Sequence, residues 1–208
     1  MTQLTAIAKR EISLRYWLQG AKFHTSLKAM EFAGRHHCGF RKDGITPEFD
    51  HQISIAHYVR TLYEGLEYPE DTISTVFLHD VREDFGISHE EIENMFGSRV
   101  ATAVDAMTKT FRGVKRNEAA VFEQIADDPI ASIVKGADRI HNFGSMVGVF
   151  SIVKQKEYIK EGKEFFMPMI KKARRLHVRQ EPVYENIKTM LDSQIKLITA
   201  IHDAKEGQ

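Results

Sequence analysis

The sequence predicts an all-α protein. Apolar residues recur at helical spacing in nearly every segment, no run alternates apolar and polar residues as a strand would, and capping or stop residues punctuate the chain. Leu4, Ile7, Ile12, Leu14, Trp17 and Leu18 mark a first helix ending near Gly20. A second runs from Phe23 to about His37 on Leu27, Met30, Phe32 and Ala33. From Gly39 to Asp50, the stretch containing Arg41, Lys42, Asp43, Gly44 and Pro47 has the composition of an ordered loop. Asp50 can cap a helix that opens with His51 and carries Ile53, Ile55, Ala56, Val59 and Leu62. Tyr68-Pro69-Glu70-Asp71 breaks the chain before a central helix from Ile73 to about Asp84.

Ser88 and Glu91 form a capping-box pattern for a short helix through Phe96, stopped by Gly97. Ser98 can cap the next, whose apolar face is Val100, Val104 and Met107. Arg112 to Arg116 reads as a basic loop, and Asn117 then caps a helix ending at Asp127-Asp128-Pro129. Pro129 suits the first turn of the following helix, Ile130 to about Val149. Two long helices close the chain, one over about 153–176 and one over about 183–204; the last has an amphipathic stripe of Ile187, Leu191, Ile195 and Ile198 for core or partner packing. Roughly nine to eleven helices are expected.

Nothing rich in proline, glycine or serine divides the 208 residues, so residues 1–208 read as one domain. Lysine plus arginine and aspartate plus glutamate number 29 each, and this balance leaves no global field for nucleic acid or an anionic membrane. The expected partner is a small molecule met by a local cluster; a homo-oligomer stays open. No apolar run approaches membrane-spanning length, and the first residues lack a signal peptide's apolar stretch. The single cysteine, Cys38, excludes an internal disulfide and fits a cytoplasmic protein.

The chemistry centres on His79-Asp80-Val81-Arg82-Glu83-Asp84. A histidine beside an aspartate offers a nitrogen and an oxygen to a divalent metal; on a helix the two diverge by about 100°. Glu83 follows His79 by four residues and Asp84 follows Asp80 by four, each one turn beyond a candidate ligand. His51 opens a helix after a polar loop, where its ring can point out of the helix end. Asp138 stands in an otherwise apolar helix, where a carboxylate needs a cationic partner, such as Arg139, or a metal. Asn142 and Ser145 follow on its stripe.

Together these residues resemble the pattern of the HD phosphohydrolase superfamily, and more closely the hydrolase domain of the RelA/SpoT family. Arg41-Lys42-Asp43-Gly44, the 79–84 motif, Phe96-Gly97, Met107-Thr108-Lys109, Ala137 to Asn142, and Glu164 to Pro168 carry the likeness. It covers about residues 20–175, with a helical extension over about 180–205, and leaves no room for that family's synthetase domain. The resemblance implies a stand-alone alarmone hydrolase. Its metal would be Mn2+, one per chain, on His51, His79, Asp80 and Asp138, with Glu83 and Asp84 activating water. Arg41 and Lys42 would lie against the base, Asn142 and Ser145 near the ribose and phosphates, and Lys109 and Phe166 against other parts of the substrate.

The chain departs from the family pattern at Glu48, usually aromatic, at Gln52, usually proline, at Arg82 within the acidic motif, at Gly144, usually arginine, and at Phe166, usually tyrosine. These changes lie around the nucleotide rather than the metal, so an adenosine alarmone or a phosphatase acting on NADPH or nucleotide monophosphates is the alternative. A non-catalytic nucleotide-binding module has no need of Glu83 and Asp84.

Overall fold

In the computed structural model, described over residues 5–206, the chain is a helical assembly with one small hairpin. The α-helices are α1 Ala6–Gly20, α2 His24–His36, α3 Asp50–Arg60, α4 Pro69–Leu78, α5 Val81–Phe85, α6 His89–Phe96, α7 Ser98–Met107, α8 Glu118–Asp127, α9 Ala131–Met146, α10 Ile152–Glu161, α11 Met167–Leu176 and α12 Glu181–Glu206. A π-helical turn over Gly162–Phe166 joins α10 to α11, so the two form the long rod expected over about 153–176. Leu4, assigned to the first helix, lies outside the described residues.

At the centre is α4, in which every residue from Thr72 to Leu78 is buried. Two of its three buried hydroxyls bond back to the preceding turn, while Thr75 Oγ1 has no partner among the described residues. Thr72 Oγ1 donates to the Tyr68 carbonyl at 2.7 Å and Ser74 Oγ to that of Glu70 at 2.8 Å. Helices α2, α3, α7 and α9 pack around it. Pro69 occupies the first turn of α4, where its missing N–H costs nothing, so the helix starts before Ile73.

The expected continuous helix to Asp84 is instead two. α4 stops at Leu78, His79 and Asp80 form the junction, and α5 is a single short helix closed by Gly86 in the left-handed region at φ 68°. No glycine or proline marks that junction, which is why helical spacing ran through it.

Two caps also differ. Gly97, at φ 93°, both ends α6 and starts α7, so Ser98 lies inside the helix. Asp50 does not cap α3, because Arg10 takes its carboxylate at 2.9 Å and ties α1 to α3. Ser88 and Asn117 cap as expected, accepting from Glu91 N and Ala120 N.

The basic loop is a two-stranded antiparallel hairpin, Thr110–Phe111 with Val114–Lys115, turning through Arg112 and Gly113 at φ 48° and 82°. Positive φ at both central residues is the tight hairpin geometry. α9 lies close against α12 because a Cβ on Gly136 would stand 2.7 Å from Ile187 Cγ2. That approach seats the middle of α9, with Asp138, against the core. No helix of the described residues is long and apolar enough to cross a membrane.

Candidate metal centre

His51 projects from the first turn of α3, His79 and Asp80 from the α4–α5 junction, and Asp138 from two turns inside α9. The donor atoms of His51, His79 and Asp80 lie within 4.8 Å of one another. His79 Nε2 stands 2.9 Å from Asp80 Oδ2, yet this buried nitrogen makes no hydrogen bond. Its other nitrogen, Nδ1, donates to the Val76 carbonyl at 2.8 Å, which leaves the Nε2 lone pair free in the neutral ring. Once a cation displaces any proton on Nε2, two acceptors that close fit neighbouring ligands of one ion, for which about 3 Å is the ordinary separation at bond lengths of about 2.1 Å. The donor chemistry therefore fits a divalent metal.

His51 is arranged in the same way. Its Nδ1 lies 2.8 Å from Nδ1 of His141, and its Nε2 lies 3.2 Å from Asp138 Oδ1. Burial, reinforced by the neighbouring His51, holds His141 down at about 3, so it is neutral and can accept from His51 Nδ1–H. That orients the His51 Nε2 lone pair inward. His51 is itself lowered, chiefly by burial. Burial opposes a charge on His79 too, but the adjacent Asp80 carboxylate lifts it to about 9 in the metal-free protein. A metal arriving there displaces a proton.

Asp138 lies at His51 Nε2, the nitrogen turned toward the group, and has partners of its own. Asn142 Nδ2 donates to Oδ1 at 2.6 Å, and the Lys135 ammonium lies 3.2 Å from Oδ2. Its cationic partner is Lys135, three residues back, while Arg139 turns away to Glu161 at 2.7 Å. Burial would raise the Asp138 carboxyl, but Lys135 and His51 hold it well below the usual range. Replacing Lys135 with methionine is expected to cost the metal-free protein about 3–5 kcal/mol, because a buried carboxylate loses its counter-charge. Urea unfolding measures this; a loss under about 1 kcal/mol would mean that Asp138 is neutralised by other means.

The group opens into a cavity of about 580 Å³ lined by His51, Asp80, Asp138, Arg41, Lys42, Asn142, Ser145, Phe150 and Tyr158, among others. This is within the size range of small-ligand sites. The Arg41 guanidinium donates to Asn142 Oδ1 at 3.2 Å, and the Lys42 ammonium lies 5.1 Å from the Phe150 ring centroid. Asp84 lines the cavity; Glu83 does not, and instead accepts from the Lys109 amide at 3.3 Å. Partial burial, with the charges of Asp80, Glu48 and Glu83, pushes the Asp84 carboxyl up to about 6.

Two expected substrate contacts are not brought to the cavity. Lys109 is held by Glu118 and Glu161, each at 2.9 Å. Phe166 is fully buried, with the Arg139 guanidinium 4.0 Å from its centroid and Phe122 edge-on at 4.8 Å. Tyr158, which the sequence reading passed over, stands at the cavity instead. Arg82 turns away from the metal group: it pairs with Asp105 at 3.1 Å and stacks over Phe111 at 4.1 Å, pinning α5 to α7 and the hairpin. His141 and Lys135 were also passed over, although each lies three residues from Asp138 and therefore on its face of α9.

A family model described as HD domain matches residues 29–179. The chain is similar to the probable guanosine-3′,5′-bis(diphosphate) 3′-pyrophosphohydrolase of Synechocystis, 33% identical over 150 residues, which are 68% of this chain and 19% of that protein. The guanosine-3′,5′-bis(diphosphate) 3′-pyrophosphohydrolase of Aquifex aeolicus is 31% identical over 147 residues, 68% of this chain and 20% of that one. A GTP pyrophosphokinase of Streptomyces antibioticus is 30% identical over 149 residues, 68% and 17% of the respective chains. The chain thus spans about a fifth of the length of these relatives. With most of its length matched by the family model, and with His51, His79 and Asp80 gathered at one point, the chain belongs to the HD-domain family.

Proposed function

We propose that the protein is a metal-dependent hydrolase that removes the 3′-pyrophosphate of a guanosine alarmone, converting ppGpp or pppGpp to GDP or GTP and pyrophosphate. The observation that carries this reading is a single cavity with imidazole and carboxylate donors converging at one end and the cations Arg41 and Lys42 at its wall. The names of the Synechocystis and Aquifex relatives support it. His51, His79, Asp80 and Asp138 would hold the metal, which we assign as Mn2+ from the resemblance to the RelA/SpoT hydrolase domain; the nitrogen and oxygen donors accept it, as they would iron, cobalt or zinc. When bound, such an ion acidifies water and polarises a phosphoryl oxygen.

The chain's own groups do the rest. Asp84 accepts the proton of the attacking water, whose oxygen bonds to the phosphorus attached to the ribose 3′-oxygen. The bond from that phosphorus to the 3′-oxygen breaks with its electron pair on the oxygen, which is protonated from solvent, and Asp84 returns its proton to solvent. Asn142 fixes the Asp138 carboxylate, and His141 fixes the His51 ring. The planar Arg41 guanidinium suits the face of a purine, and Lys42 supplies a mobile charge to phosphate.

A second reading is the adenosine counterpart, because Arg41, Lys42 and the rings of Phe150 and Tyr158 in the cavity wall can meet either purine. Purified protein with Mn2+ is to be given ppGpp, ppApp, NADPH and nucleotide monophosphates in turn. Pyrophosphate from ppGpp, abolished by a chelator, is the expected result. Pyrophosphate from ppApp alone would replace guanosine by adenosine, orthophosphate from NADPH would make the site a phosphatase, and no turnover of any would leave a binding module.

A further inference from the structure

We propose that His37, Glu48 and Asp84 form a second divalent-cation site on the wall of the same cavity, distinct from the His51–His79–Asp80 group. Their donor atoms lie within 4.8 Å of one another, and all three residues line the cavity. That separation is near the span of donors on opposite sides of one ion, about 4.2–4.6 Å at bond lengths of 2.1–2.3 Å.

Three carboxylate or imidazole groups meeting at a cavity are not in themselves a site; the state of His37 makes the case. Its ring is buried, with 3% of the residue exposed, and its Nδ1 has no hydrogen-bond partner although it points to Glu48, 3.8 Å away. Phe85 packs edge-on against the ring at 4.8 Å, and α3 supplies a polar neighbour. Gln52, itself 1% exposed, places Nε2 3.2 Å from His37 Nε2 and leaves its own buried Oε1 without a partner.

Half a turn of the Gln52 amide gives its Oε1 a partner. Oε1 then faces His37 Nε2 and accepts its N–H. With the proton on Nε2, Nδ1 becomes a lone pair directed at Glu48 and the cavity. This is the arrangement of a metal-ligating histidine oriented by an amide behind it. Without a cation, an Nδ1 lone pair aimed at a carboxylate would be repelled by it. A divalent ion between them removes the repulsion, and Asp84 supplies the third donor with one carboxylate oxygen.

The site would take a first-row divalent ion that accepts mixed nitrogen and oxygen ligands, Mn2+ being the natural probe. Facing the first group across one cavity, it would meet the outer phosphate of a substrate bearing several negative charges. Placing it there rests on the proposed hydrolase reading; the existence of the site does not, because its test reads metal content.

The full chain is titrated with Mn2+ by calorimetry, and bound metal is counted after equilibrium dialysis. Two equivalents per chain are expected, falling to one in His37→Ala and in Glu48→Gln, with the remaining equivalent lost on adding Asp80→Ala. Glu48→Gln carries the test if His37→Ala fails to fold, since the Glu48 side chain is 36% exposed. One equivalent in the wild type at saturating Mn2+, or two equivalents retained in Glu48→Gln, would overturn the proposal. Neither result would touch the substrate assignment, which turnover of ppGpp decides separately.

Discussion

Replacing Asp80 with alanine is expected to remove the metal at the His51–His79–Asp80 group and turnover together. Asp80 contributes the only carboxylate of that group of three, and its oxygen lies 2.9 Å from His79 Nε2. Without it the site keeps two neutral imidazoles and Asp138, whose charge is already shared with Lys135 and Asn142, a set that competes poorly for a hard divalent ion. His79 changes as well. Its rise to about 9 depends on the Asp80 charge, so in the variant burial dominates and the ring stays neutral. Wild-type protein should therefore release a proton on taking up Mn2+ near neutral pH, and the variant should not. Turnover should fall by about 10³-fold or more, the order of several kcal/mol of lost transition-state stabilisation. Calorimetry in buffers of different ionisation enthalpy reads the proton, and pyrophosphate release reads the rate. A fully active Asp80→Ala variant would sink the metal assignment.

How far the sequence could be read depended on the range of the interaction. The core helices are legible because burial writes a periodic pattern: α2, α8, α9 and α12 occur where Leu27, Asn117, Ile130 and Ile187 indicate. Ser88 and Asn117 act locally, and their caps were readable for that reason. The α4–α5 junction was not, because it is made by packing around His79 rather than by any breaker residue.

Asp50 illustrates the same limit. Its side chain suits a cap, but Arg10, forty residues away, takes it. The hairpin at Arg112-Gly113 has strands of two residues, too short to write an alternation. At the site, the ligand types were legible and the partners were not. Lys135 and His141 lay on the face of Asp138, and helical spacing alone could have found them. Departures at Glu48 and Gln52 read as changes around the nucleotide; both line the cavity, and both also surround His37. Lys109 and Phe166 were carried over from the family pattern, and Glu118, Glu161 and Arg139 hold them elsewhere.

The two acids of the 79–84 motif should separate under mutation. Asp84→Asn is expected to lower kcat on the order of 10² to 10⁴ while Mn2+ stays on the His51 group, because the amide cannot take a proton from water. Glu83→Gln should cost no more than about tenfold, since its carboxylate accepts from the Lys109 amide and does not line the cavity. The pH dependence carries a second signature. With the Asp84 carboxyl near 6, the base form is lost as pH falls through that value, so kcat/KM rises with pH up to about 6 in the wild type. A bound cation favours the ionised form and moves this limb lower, never higher. Stability runs the opposite way. A carboxyl raised from 3.8 to about 6 keeps its proton in the folded chain after the unfolded chain has lost it, so folding weakens as pH rises from about 4 to about 6. Asp84→Asn lacks that loss and should melt higher than wild type at pH 7 while turning over far more slowly. Activity within about threefold of wild type in Asp84→Asn, with Glu83→Gln dead, would move the base to Glu83 and require α5 to rotate when substrate binds.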